Sequence, residues 1–489
     1  MIKHSPSRSV ALSFGCAFLV LYAATAVRLP AQTLTYLYSF SGSNGADPEG
    51  LVQATNGDIY GLTGDGTATT NMGGTVFTMT TSGTVTNIFN FPGCSTDCSS
   101  LGVIPQGMIQ ATDGNFYGIT SEGGLNSLGT VFKMTPSGEL TTIYNFCSLP
   151  GCADGSGPEG GLVQGTNGNF YGTTSYGGAQ NDGTIFEVTP SGTLTTLYSF
   201  CQMTNCLDGL HPGVGLALAP NGNLFGVTSA GGAGGELPGD GTAFEVTPSG
   251  VFTSIHSFCT QTGCPDGAFP SSALALATDG NFYGVTGAGG PTNHGTIYRI
   301  TTIGTVTTLH DFCSLKRCAD GYDAYSPLVQ GTDGNLYGTT PKGGASGQGI
   351  IYNITLSGTF TALYSFDNPI GTDPTPTLLQ DTNGVFYGTT GAGGPTGWGS
   401  IFSFTMGFAP FVRVEPLSSP VGSEVQILGT DLTGATSVTF DGAPAVFTVN
   451  SSGTSITATV PAGTKKGTVD VVTPGGTLAS YPPFYPLHY

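Results

Sequence analysis

Hydrophobic and polar positions alternate in short runs along this chain, and the runs recur. From Leu162 the sequence reads LVQGTNGNFYGTTSYGG, and near-copies centre on turn glycines Gly57, Gly114, Gly168, Gly222, Gly280, Gly334 and Gly384, spaced 50–58 residues apart. Four runs in the third copy have strand character. Run a, 162–165, ends at a TNG turn, where Asn and Gly accept the positive φ of a tight hairpin. Run b, 169–174, leads through a glycine-rich loop to run c, GTIFEVT at 183–189. A PSG turn, its proline presetting φ, leads to run d, TLTTLYSF at 193–200. Each copy therefore predicts one four-stranded antiparallel sheet. A period of this length fits propeller blades rather than a helical solenoid.

The ends of the array extend the prediction. An unattached d-type run, TLTYLYSF at 33–40, precedes the first a–b–c set, and the last set, ending GSIFSFTM at Met406, has no d run after it. Strand numbers balance if 33–40 completes the blade begun near Leu378, a closure that would remove exposed sheet edges. From 408 to 489 the pattern changes to alternating runs at 425–428, 437–440 and 468–472, bounded by Gly or Pro, as in an immunoglobulin-like sandwich. The expected fold is all-β: a seven-bladed β-propeller over 32–407, closed by its N-terminal strand, followed by a β-sandwich over 408–489.

The repeated pattern NG-N-F-Y-G-T-T…GG…GT-I-F…T-P-S-G-T-L-T-x-L-Y-S-F resembles the GloVer tandem repeat of secreted bacterial choice-of-anchor proteins, over about 33–407. That resemblance implies export and residence at or beyond the cell surface, and brings no established reaction. Relatives often end in a sorting or anchoring tail, whereas this chain ends LASYPPFYPLHY. PVGSEVQILGTDLTGATSVTFDGAPA followed by ITATVPAGTKKGTVDVVTPGGT resembles an IPT/TIG domain, which in secreted bacterial proteins implies a spacer or interaction module.

Lys3 and Arg8, an apolar run from about Val10 to Tyr22 and the small residues AATA read as a secretory signal peptide over 1–31, cleaved after Ala26 or Ala31. The run is shorter than a membrane-spanning helix needs, and no later segment reads as transmembrane. The expected mature protein is an exported monomer, secreted or at the cell surface, with the periplasm as an alternative. Net charge is −19, and removing 1–31 takes away Lys3, Arg8 and Arg28 but no acid. Such a surface repels nucleic acid, and Arg413, Lys465 and Lys466 form no phosphate-binding stripe.

In an antiparallel blade the d–a and b–c connections share one face and the tight a–b and c–d turns share the other. The long, variable loops therefore fall on one side, where binding residues concentrate, and most acidic residues fall there too. An Asp recurs in the d–a loops: Asp47, Asp154, Asp208, Asp266, Asp320 and Asp373. It reads either as a turn residue bonding its own backbone or as a Ca²⁺ ligand, although no loop has dedicated calcium-loop spacing. Cysteines pair in the same loops as disulfides that stiffen a loop: Cys94 with Cys98, Cys147 with Cys152, Cys201 with Cys206, Cys259 with Cys264 and Cys313 with Cys318. No other cofactor is expected. The glycine-rich b–c loops precede strands, so they make no phosphate cradle.

A catalytic centre would have to break the repeat. The departures are His211, His294, Trp398, Asp323, Tyr322 and Tyr325 in loops, and His256 and His310 on d runs at the rim. No linear catalytic motif is present, so no catalytic residue is named. The expected function is non-enzymatic binding or adhesion, the long-loop face meeting a glycan, a cell-envelope component or a protein. A structural surface component and a carbohydrate-active hydrolase or lyase, which leaves no linear motif, are the alternatives.

Overall fold

A computed structural model describes Met1 and residues 32–65, 72–93, 101–234, 239–367 and 370–487. The predicted signal peptide, apart from Met1, lies outside the described residues, and so do Cys94 and Cys98. Among the described residues the chain is all-β, with three short 3₁₀ turns and many four-stranded antiparallel sheets. Seven sheets, six of four strands and the fifth of five because its first strand is split, each contain one turn glycine and are called units 1–7.

Unit 3 shows why the consensus folds as it does. Its strands are Ser156–Gln164, Phe170–Tyr176, Thr184–Val188 and Leu194–Ser199, paired in that order. At the first turn Gly165 and Asn169 pair through their backbones, and the Asn167 carboxamide accepts the Asn169 amide at 3.1 Å. At the second, the Thr189 hydroxyl accepts the Thr193 amide at 3.0 Å and meets Ser191 at 2.9 Å, which accounts for Thr-Pro-Ser-Gly. Gly172 in the FYG triplet faces Phe186: a Cβ there would stand 2.6 Å from Phe186 Cζ and 3.0 Å from Leu162 Cδ2. Only glycine lets that phenylalanine lie flat across the sheet.

Strand a begins earlier than its hydrophobic run predicts, at Ser156 rather than 162, with a bulge between Glu159 and Val163. The stretch SGPEGG carries no alternation, so its pairing has no signal in the pattern. In unit 5 the strand splits into Ala268–Pro270 and Ala275–Leu276, and in units 4 and 6 it shrinks to Leu216–Leu218 and Val329–Gln330. Glycine or proline interrupts the ladder at each of these places.

Units pack through a repeated aromatic contact. The Phe ending each LYSF-type run inserts against the central aromatic of strand c in the next unit: Phe91–Phe132, Phe146–Phe186, Phe200–Phe244, Phe258–Tyr298, Phe312–Tyr352 and Phe366–Phe402, centroids 5.1–5.7 Å apart. Phe40 makes the same contact with Phe77 of unit 1 at 5.3 Å. Its strand, Thr33–Ser39, pairs antiparallel with Ser400–Thr405, so the first strand completes unit 7. Gln side chains add a second staple: Gln110, Gln164, Gln330 and Gln380 each accept the turn amide of the unit before, at 2.8–3.1 Å. Gln53 of unit 1 does so for Thr382 of unit 7 at 3.1 Å.

Residues beyond about 410 form two further four-stranded sheets and a short parallel pair, Ser418–Pro420 with Tyr485–Leu487. Their common core includes Val412, Val425, Ile427, Phe440, Ile456 and Val471. The strands Glu424–Leu428, Ser437–Phe440 and Val469–Thr473 fall within one residue of the predicted runs. This segment rests on the tight turns of units 1 and 7. Thr454 and Asn450 donate to the Thr55 carbonyl at 2.7 and 3.0 Å, the Phe411 amide donates to the Thr382 carbonyl at 2.9 Å, and Arg413 donates to the Gln380 carbonyl.

Candidate functional site

The six recurring aspartates divide into two structural classes. Asp154, Asp208 and Asp320 are fully buried. Asp154 accepts the Tyr144 hydroxyl at 2.7 Å and the amides of Ser148 and Leu149 at 2.9 and 3.1 Å. Asp208 does the same with Tyr198, Gln202 and Met203, and Asp320 with His310, Ser314 and Leu315. Asp266 accepts from His256 at 2.9 Å and from the Cys259 amide at 3.2 Å. These carboxylates hold shut the loops bridged by Cys147–Cys152, Cys201–Cys206, Cys259–Cys264 and Cys313–Cys318. Four of the five expected disulfides are therefore formed among the described residues. The fifth, between Cys94 and Cys98, is not one of them, because both cysteines lie outside the described residues.

The donors to these carboxylates are the loops' own amides and the Tyr or His of the d strand, and the fully buried three contribute nothing to the surface. His256 and His310 also pack edge-on against Phe258 and Phe312, and burial draws the His310 imidazole below its ordinary value despite Asp320. Asp182 and Asp240 lie beside two of these cysteine pairs, but a disulfide sulfur is not the thiolate a metal needs.

Asp47 and Asp373 sit elsewhere, each immediately before a proline. With Ile104, Gly157, His211, Phe269 and Asp323 they form a set of one residue per unit, all with φ between 51° and 60°. A left-handed backbone is costly for any residue but glycine, and a following proline pushes a residue towards extended geometry. The strain is held from outside the unit. Pro48, Pro105, Pro158, Pro212, Pro270 and Pro374 each lie against a glycine opening or preceding strand c of the unit before, Cδ standing 2.5–2.7 Å from where a Cβ would be. The amides of Gly157, His211 and Phe269 also donate to carbonyls of the preceding unit's b–c loop at 2.8–3.0 Å. Alignment on the aspartates conceals this set. The signal that exposes it is a proline nine or ten positions before the turn glycine, present in every unit except unit 6.

The set has two characters. Units 6, 7 and 1 present Asp323, Asp373 and Asp47. The Tyr325 hydroxyl donates to Asp373 at 3.1 Å. Burial first, then Asp373 and Asp65, raises the Asp47 carboxyl above its ordinary value. Glu49, one residue beyond Pro48, is pushed up to about 8 by burial and by Asp47. Asp323 pairs with Lys342 at 2.7 Å, and His294 packs on Tyr322 at 5.0 Å. Trp398 stands in the b–c loop of unit 7 and is 43% exposed.

Units 3 to 5 present an aromatic wall. A cleft of about 460 Å³ is lined by Glu159, Ser175, Tyr176, His211, Phe269 and Ser271, among others. Tyr176 meets His211 edge-on at 5.2 Å, His211 Nδ1 lies 2.9 Å from the Ser175 carbonyl, and the Ser175 hydroxyl donates to Glu159 at 3.0 Å. Val214 and Ser271 also line a smaller cavity of about 220 Å³ whose walls include Glu49, Gln106 and Tyr325, so the two adjoin. Sequence analysis singled out His211 and Tyr325 here; Glu49, Glu159 and Phe269 escaped it because they lie in the early part of strand a, which has no alternating face, and Tyr176 because it ends strand b as one of 20 tyrosines.

The Gloeobacter/Verrucomicrobia repeat model matches three overlapping stretches, residues 22–236, 104–322 and 212–456. The chain belongs to this repeat family. The matches span all seven turn glycines. No curated protein matches the chain in sequence. Among solved structures it is similar to a fungal alcohol oxidase of the AA5 family in complex with copper, at 14% identity and a TM-score of 0.50, covering 93% of this chain and 99% of that one. It is also similar to the extracellular domain of a hybrid two component system from B. thetaiotaomicron, at 12% identity and a TM-score of 0.50, covering 94% of this chain and 60% of that one. At such identities the likeness concerns the fold alone.

Proposed function

We propose that this repeat-family member is an exported, non-enzymatic binding protein of the bacterial surface. In this reading residues 1–31 are a signal peptide, 32–407 a closed seven-bladed β-propeller and 408–489 an IPT/TIG-type immunoglobulin-like module. The strand pairing of Thr33–Ser39 with Ser400–Thr405 and the Gln53–Thr382 staple support closure. Four disulfides support an oxidising compartment. Among the described residues no helix is long and apolar enough to cross a membrane. The observation that carries the functional reading is the seat of the C-terminal segment on the tight turns, through Thr55 and Thr382, which leaves the opposite, long-loop face to meet a glycan, an envelope component or a protein.

The test offers solubilised envelope fractions and a glycan array to the immobilised full chain, with and without chelator. Saturable retention is expected, weakened by Asp373→Lys and unaffected by Lys466→Glu on the C-terminal segment; loss of binding in the chelated arm would add Ca²⁺ to the site. Ordered self-assembly with no saturable retention would replace the proposal with a structural role. One observation favours a second reading. Glu49, its carboxyl pushed up to about 8 by burial and by Asp47, stands beside a second carboxyl, and glycan-cleaving sites use carboxyls in pairs. Incubation with polysaccharides that yields no new reducing ends removes it.

A further inference from the structure

The adjoining clefts narrow the ligand class, an inference that rests on the binding-face reading above. We infer that the cleft between units 3 and 5 is a groove for a pyranose chain, neutral or amino-bearing, and that it excludes anionic sugars. Its volume, about 460 Å³, lies within the range of roughly 300–1,000 Å³ usual for small-molecule sites. Tyr176 and Phe269 are 50% and 46% exposed. Phe269 is held outward by a backbone at φ 55°, its amide fixed to the Asp240 carbonyl at 2.8 Å. An aromatic side chain kept exposed by strained backbone is an apolar platform prepared before any ligand arrives, and strain of this kind concentrates at functional positions. A pyranose has one face of C–H groups and a rim of hydroxyls. Tyr176 and Phe269 suit the first. Glu159, already accepting from Ser175, has lone pairs for the second, and Ser175, Ser229 and Ser271 line the same walls, their hydroxyls donating to Glu159 and to the His211 and Ala324 carbonyls and keeping lone pairs to accept.

On the other side of Val214 and Ser271 the smaller cavity presents Glu49 and Tyr325, with Asp47 and Asp373 in electrostatic range of Tyr325. A uronate or sulfated sugar entering there would bring a further negative charge against the carboxylates of Asp47 and Asp373, in a setting where water screens poorly. Neutral sugars pay no such cost, and an ammonium at that end would gain.

The experiment titrates the full chain with cellotetraose, glucosamine tetramer, tetragalacturonate and tetralysine by calorimetry. Saturable binding of either of the first two, with tetragalacturonate at least tenfold weaker, is expected. The glucosamine arm shows whether an amino group adds to the pyranose contact. Tyr176→Ala and Phe269→Ala should each weaken binding at least tenfold with an unchanged melting midpoint, and Tyr176→Phe should retain it. Equal binding of the uronate, or binding of tetralysine alone, overturns the inference. Retention of envelope material without binding of any tetrasaccharide overturns the sugar assignment and leaves the binding face standing; loss of both overturns the two together.

Discussion

Glu49 makes the acidic end of the cleft measurable by stability alone. Its carboxyl, ordinarily near 4.5, is pushed up to about 8, first by burial and then by Asp47. Between those values the unfolded chain has released the proton and the folded chain retains it. Stability therefore falls as pH rises, by about 1.4 kcal/mol per pH unit while this group alone titrates. Above pH 8 the full cost is at most about 5 kcal/mol. The side chain keeps some contact with water, which screens its charge and reduces the cost to about half of that. Glu49→Gln keeps the shape and cannot ionise. It should match the parent protein at pH 5 and exceed it by about 2–3 kcal/mol at pH 9, read as the difference in urea midpoint multiplied by the slope. Asp47→Asn, which removes the second cause, should shift the parent's pH dependence to lower values. A Glu49→Gln advantage that is the same at pH 5 and pH 9 would refute the burial argument, because a packing change carries no pH dependence.

Three further outcomes follow from the repeat. Gly172→Ala places a Cβ 2.6 Å from Phe186 Cζ and should cost about 1–3 kcal/mol in denaturant unfolding; a cost under 0.5 kcal/mol would show that the ring moves aside. Tyr298 and Tyr352 are fully buried with hydroxyls that have no hydrogen-bond partner, where units 1–4 and 7 have Phe77, Phe132, Phe186, Phe244 and Phe402. Tyr298→Phe and Tyr352→Phe should each therefore be neutral or stabilise by about 1 kcal/mol, and a loss of stability would mean the hydroxyls are satisfied. Reducing the four disulfides should lower the melting midpoint by loosening loops, each short closure contributing about 2 kcal/mol; the far-UV spectrum should persist, and its collapse would show that the bridges hold the sheets.

What the sequence disclosed depended on period. The TNG and PSG turns, the FYG glycine and the LYSF phenylalanine recur because every sheet meets its neighbours in the same way, so a single unit read closely predicts the other six. The early part of strand a stayed hidden, since Ser156–Gly161 pairs through a bulge and has no alternating face. The cleft was less legible. Asp47 and Asp154 look equivalent in a string, both followed by Gly or Pro, yet one is at the strained position before Pro48 and the other is buried under Tyr144. In the string they differ only in the proline after one and the glycine after the other, and the backbone angle and hydrogen-bond partners show what that difference means. His211 was visible as a departure from the repeat, whereas Phe269, in a chain with 29 phenylalanines, was not.

The strained positions join the fold to the functional proposal. Glycine is the residue that adopts φ near 55° at least cost, and unit 3 uses it at Gly157. The other six units place Asp, Ile, His, Phe, Asp and Asp in the same conformation, each accepting on the order of 1 kcal/mol or more that glycine would avoid. Packing does not account for Phe269, which is 46% exposed. The energy that tolerates the strain comes from the neighbouring unit, through the proline seated on its glycine and, in units 3 to 5, through an amide bonded to its loop. A side chain held outward at a cost, by contacts that are themselves repeated, is a position where the repeat permits variation. Aromatic residues at units 4 and 5 and carboxylates at units 6, 7 and 1 thus divide one surface into a stacking half and a charged half, and a ligand that needs both halves is the kind this surface would select.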